Sequence, residues 1–250
     1  MIHIYILCYN EEKIIASTID HYKKLLPSST ITICDNESTD DSVKIARERG
    51  CTIHTYKTDG KVNDFVYNDI KENLWRESET EWVMVCDMDE FLCISEKELE
   101  LEDSKGTTLI KTQGYSMLAD SKSVRLDDIL LETIDEGYED NNYSKIICFK
   151  RKDVERMNYN AGAHVCNPIG RKIVFSEGAY PLYHFKYLGF PYLLFNFSSN
   201  YKRSYEMRQF GMALHYTEDE QKIRDILKKA RNVSYKVKPL VQIYKEKSNE

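Results

Sequence analysis

The sequence predicts an α/β fold: a mixed, mostly parallel sheet flanked by helices, with a C-terminal helical extension. Three observations predict it. Short apolar runs rich in β-branched residues alternate with segments of helical spacing from the N-terminus to residue 86. The ends of the first, second and fourth runs carry YNEE, DNESTDD and DMDE, all polar or acidic. No internal repeat, low-complexity stretch or Gly/Ser linker divides the 250 residues, a length that suits one large domain.

The elements follow in order. Residues 2–8 form an apolar strand, and YNEEK breaks it. Residues 14–26 show helical spacing, with Ile15, Ile19, Tyr22 and Leu26 on one face, closed by Pro27. TITIC (30–34) is a second strand, and residues 41–49 are a second helix ended by Gly50. A short strand at 52–56, a helix at 64–76 and a strand at 81–86 complete the alternation. Strands alternating with helices at this spacing make a parallel sheet. In such sheets ligands bind beyond the carboxyl ends of the strands, so the three acidic tips share one functional rim.

The second half is less regular. Strands are expected at 108–112 and 145–151, joined by DDILLETIDEGYEDNNY. MNYNAGAHVCNPIGRKIVF reads as a loop followed by a strand, and YPLYHFKYLGFPYLLFNF is strongly aromatic. Residues 217–233 are expected as a helix capped by Thr217 with acidic residues in its first turn. KEKSNE is expected to fray. Residues 1–216 form the domain, and 217–250 pack on it as a helix and tail.

Composition narrows the function. Apolar residues make up 42% and charged residues 30%, as in soluble globular proteins. The net charge of −6, from 35 basic and 41 acidic residues, excludes a global basic footprint for nucleic acid. A polyanionic ligand has to be met locally, by a metal, helix N-termini or a few Lys and Arg. Cys8, Cys34, Cys86 and Cys148 sit in apolar runs, and the seven cysteines include no CxxC pair. They read as core thiols in a reducing compartment, not as a disulfide framework or a zinc site. The apolar N-terminus is too short for a signal peptide, and no run is long enough to span a membrane. A cytoplasmic location is expected, with peripheral membrane contact left open.

In WVMVCDMDEFL (82–92) an apolar strand runs directly into Asp87, Asp89 and Glu90. Two carboxylates at i and i+2 past a strand reach one point if the backbone turns there. Oxygen ligands of this kind suit Mg²⁺ or Mn²⁺, which keep open positions for substrate phosphates and help a diphosphate leave. A lone DxD more often just ends a strand. Here it ends the fourth strand of a βα series and shares its rim with two other polar tips. An EF-hand loop is excluded by Phe91 and Leu92. A phosphohydrolase with an aspartyl nucleophile is the alternative, but no later Gly-Asp acidic cluster supports it.

CYNEE, DNESTDDS and DMDEFL, in this order and spacing, resemble family-2-type glycosyltransferases of the GT-A fold, the Rossmann-like fold of nucleotide-diphospho-sugar transferases. The branch with a DxDEF-type motif is the nearest match. The resemblance is close over residues 2–95 and looser to 216 through NYNAGAH and LYHFKYLG. It implies that 1–95 is a nucleotide-binding half and 96–216 an acceptor-binding, metal-completing half. It further implies a nucleotide-sugar donor, UDP-sugar favoured, a Mn²⁺ or Mg²⁺ cofactor, and a glycan or glycolipid hydroxyl as acceptor, as in polysaccharide biosynthesis. A non-catalytic sugar-binding relative is a further alternative, and the oligomeric state is left open.

Carried over residue by residue, the resemblance gives the nucleoside to Tyr9, Asn10, Glu11 and Asp35, with Lys61, Asp64 and Lys71 completing the pocket. Asn36, Ser38 and Asp40 hold the turn, Ser38 and Asp40 as caps of the next helix. Met88 offers its backbone to ribose, Asp89 is the foremost metal ligand, and Asp87 meets ribose or the metal through water. Glu90 orients the loop or meets the sugar. His184 in LYHFKYLG is the third ligand, with His164 as its substitute and otherwise near the sugar or acceptor. Lys186 follows His184 on the same strand face and is placed to meet the departing phosphate. Tyr159, Tyr183, Tyr187 and Tyr192 are candidates for stacking on sugars. Glu90, Asp120 and His164 are candidates for the acid–base group, and inversion or retention stays open.

Overall fold

A computed structural model of the chain describes residues 1–119 and 131–249. β1 (Ile2–Cys8) is followed by α1 (Ile15–Leu25), β2 (Thr30–Asp35), α2 (Ser42–Glu48), β3 (Thr52–Thr55), α3 (Asp64–Asn73) and β4 (Trp82–Asp87). β1 lies between β2 and β4 and β2 between β1 and β3, all parallel. The register sets Cys8 opposite Asp35 and Leu7 opposite Asp87, so the polar strand ends meet at one rim. This is the α/β class with a mixed, mostly parallel sheet that the alternation predicts.

Successive strand residues point to opposite faces, and both faces here are buried. Ile4, Ile6 and Cys8 belong to one core with Ile15, Ile19 and Tyr22 of α1, while Tyr5 and Leu7 join Val83, Val85 and Trp75 in the other. α3 is opened by Asn63, whose side chain accepts from Phe65 N and Val66 N. It ends three residues before the expected limit. A 3-10 turn (Leu74–Glu77) takes over there and swings Trp75 edge-on to Phe149, with ring centroids 5.0 Å apart.

After β4 the chain turns at Met88 and Asp89 and continues as β5 (Glu90–Leu92) and α4 (Glu96–Ser104). α4 begins with a complete capping box between Ser95 and Glu98. β6 (Leu109–Leu118), β7 (Glu136–Glu139) and β8 (Cys148–Lys150) extend the sheet antiparallel, with Cys148 of β8 opposite Met84 of β4. β6 runs six residues past its expected end. A small two-stranded ribbon, β9 (Val154–Arg156) with β10 (Ile169–Gly170), precedes β11 (Phe175–Tyr187). β11 pairs parallel with β6 and antiparallel with β5, setting His184 opposite Glu90.

α5 (Phe190–Arg203) and α6 (Tyr205–Gln209) lead to α7 (Glu220–Val233), which packs on α5 through Leu193, Phe197, Ile223 and Leu227. The α7 cap is Asp219, whose carboxylate accepts from Gln221 N and Lys222 N, and not Thr217, whose hydroxyl accepts from Asp219 N. β12 (Tyr235–Lys236) adds to β7, and α8 (Leu240–Asn249) closes the described chain. The expected fraying of KEKSNE does not occur through Asn249, because Leu240, Ile243 and Tyr244 are buried in the main core. None of the seven cysteines is paired, and six are buried. Among the described residues no helix is long and apolar enough to cross a membrane.

Candidate active site

A cavity of about 480 Å³ opens at the carboxyl rim of β1 and β4. Its floor is the acidic turn. Lys71 of α3 lies 2.7 Å from Asp87 Oδ1, and Lys145, just before β8, lies 3.3 Å from Asp87 Oδ2 and 2.7 Å from Glu90 Oε1. Glu90 Oε2 accepts from Asp87 N at 2.9 Å. Burial alone would raise the Asp87 carboxyl, but the two ammonium groups outweigh it and hold the group well below the usual carboxylate range. Lys145 is raised despite burial, by Glu90 and Asp87. Glu90 is 1% exposed, so it orients the turn and is not among the cavity-lining residues.

Asp89 has a different partner. Its Oδ2 accepts from His184 Nε2 at 3.0 Å, a contact made by the β5–β11 pairing and by Phe185 N donating to Asp89 O. Burial raises the Asp89 carboxyl, and the charge and hydrogen bond of His184 outweigh it, leaving a net lowering. The His184 ring stacks on Tyr143 at 3.9 Å, and its Nδ1 is buried without a hydrogen-bond partner. His21 of α1 offers a contrast. That histidine is buried with both nitrogens engaged, on Leu92 O and Tyr244 OH, as a structural histidine is. Lys186 Nζ donates to Tyr143 OH at 3.0 Å and also lines the cavity, with burial lowering its basicity.

Among the described residues no group of three or more His, Cys, Asp or Glu side chains is gathered as a metal-holding cluster. The expected set of Asp87, Asp89 and His184 is therefore not assembled, because the lysines engage Asp87. The remaining pair fits a divalent ion. Two donors each about 2.1 Å from an octahedral ion and at right angles stand about 3.0 Å apart, the spacing of Asp89 Oδ2 and His184 Nε2. Mg²⁺ and Mn²⁺ commonly take one or two side-chain ligands and fill the rest with water and phosphate.

The first-strand residues Tyr9, Asn10 and Glu11 line the cavity with Asp64, Lys71, Asp87 and Met88. Arg203 of α5 lies over the Tyr9 ring, 3.5 Å from its centroid. Asn10 adopts φ 55°, which Asn tolerates, and its Oδ1 accepts from Thr39 N. Burial, then the charges of Asp89, Asp40 and Asp87, push the Glu11 carboxyl well above its ordinary value. Burial also raises Asp64. Two expected nucleoside contacts lie elsewhere. Asp35 is buried beneath the rim with both oxygens 3.2 Å from Ser38 N, and Lys61 is paired with Glu206 on the surface. Met88 is buried with its carbonyl taken by Thr18 Oγ1 at 2.8 Å.

Ser38 and Asp40 stitch the second tip to the first: Ser38 Oγ accepts from Asn10 N, and Asp40 accepts from Glu12 N and Ser42 N. Of the four tyrosines named for stacking, Tyr192 lines the cavity. Tyr183 donates to Lys238 O, Tyr159 to Ile146 O, and Tyr187 meets Tyr138. His164 lines the cavity beside Gly162, and Asp120 lies outside the described residues. Lys145, Tyr143, Arg203 and His215 line the cavity without any motif having marked them.

No family model matches the sequence. Over 62 residues the chain is 40% identical to Protein RfbJ of Shigella flexneri, a stretch covering 25% of this chain and 48% of that protein. The chain thus spans about half the length of the curated relative it matches. Similar solved structures include S. aureus TarS 1–349 in complex with UDP, at 14% identity over 92% of this chain and 70% of that one, TM-score 0.43. Glucosyl-3-phosphoglycerate synthase from Mycobacterium tuberculosis, with Mn²⁺, UDP and glucosyl-3-phosphoglycerate, shows 22% identity over 46% and 44% of the two chains, TM-score 0.30. A mannosyltransferase from Pyrobaculum calidifontis, with GDP-Man and Mn²⁺, shows 16% identity over 47% and 35%, TM-score 0.31.

Proposed function

We propose that the chain is a metal-assisted glycosyltransferase that moves a sugar from a nucleoside diphosphate, UDP favoured, to a hydroxyl of a glycan or glycolipid. One observation carries the reading. Asp89 and His184, 3.0 Å apart, share a cavity with Lys71, Lys145 and Lys186 at the carboxyl rim of the parallel strands. That arrangement suits a diphosphate, whose charge a −6 protein has to meet locally. Tyr9, Asn10, Glu11 and Asp64 form the nucleoside side of the cavity. Asp89 and His184 would hold Mn²⁺ or Mg²⁺, which supplies Lewis-acid stabilisation of the leaving diphosphate. Lys186, whose part-buried ammonium donates to the Tyr143 phenol, reaches toward the same charge. The lysines on Asp87 leave Asp89 as the carboxylate available to a cation.

A thermal-shift panel tests the reading. UDP or GDP raises the Tm only when Mn²⁺ or Mg²⁺ is present, by the equivalent of about 2.7 kcal/mol at a hundredfold excess over Kd. Asp89→Asn removes the metal-dependent part. A UDP shift that is the same in EDTA and in Asp89→Asn rejects the proposal. Turnover of a phosphomonoester that Asp87→Asn abolishes would favour the phosphohydrolase instead.

A further inference from the structure

We propose that His164 is the general base that takes the proton from the acceptor hydroxyl. The assignment rests on the transferase reading above and names the group that reading leaves open. His164 Nδ1 lies 2.7 Å from the carbonyl oxygen of Asn142. A carbonyl only accepts, so Nδ1 carries the proton and Nε2 presents its lone pair. No hydrogen bond within the described residues engages Nε2. Gly162, at φ 73°, keeps that edge open: a Cβ there would stand 2.9 Å from Nε2. The ring meets Tyr143 edge-on at 5.4 Å, and Tyr143 stacks on His184, so His164 stands one aromatic ring from the Asp89–His184 pair. Partial desolvation, then the charge of Lys145, lowers its pKa, which favours the neutral ring.

Among the described residues, most of the other basic groups of the cavity are engaged or displaced. Asp87 is held by two lysines, Glu90 is buried on Lys145, and Asp89 is on His184. Glu11 follows β1, on the far side of β4 from the Asn142 turn that holds His164, and Asp64 opens α3, which packs against the Ala161–Ala163 turn. His215 lines the cavity, but burial pushes it down to about 4, too weak a base for the task. In the step, the acceptor O–H bond breaks and its proton passes to Nε2. The acceptor oxygen bonds to the anomeric carbon, and the anomeric C–O bond breaks with its electron pair leaving on the diphosphate.

The test uses the full chain with Mn²⁺ and a panel of UDP- and GDP-sugars, water serving as acceptor, with nucleoside diphosphate release as readout. His164→Asn keeps a donor for the Asn142 carbonyl and lacks Nε2. It is expected to lose about 100-fold or more in turnover, while donor KM and the nucleotide–Mn²⁺ Tm shift stay within about threefold and unchanged respectively. Added imidazole is expected to restore part of the rate to His164→Ala. A His164→Asn chain within about threefold of wild type overturns the assignment, as does a comparable loss confined to Asp120→Asn. A wild-type chain without the Mn²⁺-dependent shift sinks the transferase reading instead, so the two failures are distinguishable.

Discussion

Lys145 carries a charge where charges are costly, with its side chain 4% exposed and that of its partner Glu90 1% exposed. The pair is tolerable because the ammonium also reaches Asp87 and because Glu90 accepts from Asp87 N. Lys145→Met leaves a buried carboxylate without its cation, and a loss of about 3–5 kcal/mol in urea unfolding is expected. Lys145→Met with Glu90→Met is expected to recover most of it, which a double-mutant cycle reads. Equal losses in the single and double variants would contradict this account. The sequence marked Asp87, Asp89 and Glu90 because three acids after an apolar strand break a pattern. Lys145 broke none, at the head of a run already read as a strand. Its role exists only because β8 pairs with β4, and long-range pairing is not written in local spacing.

The elements divide in the same way. β1, α1, β2, α2, β3 and β4 match the periodic reading within two residues at each end, because the inner strands and α1 bury regular faces and the edge strand β3 packs Ile53 against the core. The second half was less legible. β11 was hidden in aromatic residues without a clean period of two, yet its pairing with β5 delivers His184 to Asp89. The Ser95–Glu98 capping box before α4 is a local signal, a serine followed three residues later by a glutamate. α8 shows a tertiary contact overriding a polar tail: Tyr244 OH meets His21 Nδ1 at 2.9 Å and fixes the helix against α1. Burial pushes His21 down to about 4, from about 6.5 in an unfolded chain. Between those values the unfolded chain binds a proton that the folded one refuses. Stability therefore falls as pH drops from about 6.5 toward 4, by about 2 kcal/mol at pH 5. Urea midpoints at pH 7 and pH 5 should show this loss in wild type and a smaller one in His21→Gln. Equal losses would place the acid sensitivity elsewhere.

At the scale of the whole molecule, one sheet buried on both faces carries a cavity at its carboxyl rim, and later strands close that cavity from the other side. The first half supplies Tyr9, Asn10, Glu11, Asp64 and Lys71, and the second supplies Tyr143, Lys145, His164, His184 and Lys186. The central claim is that this seam holds a diphosphate with a divalent ion on Asp89 and His184. Anomalous diffraction from crystals grown with UDP and Mn²⁺ tests it most directly. The account predicts manganese about 2.2 Å from an Asp89 oxygen and from His184 Nε2, with Asp87 still held by Lys71 and Lys145. UDP in the cavity with no ion beside it, and the Asp89–His184 hydrogen bond intact, would contradict it.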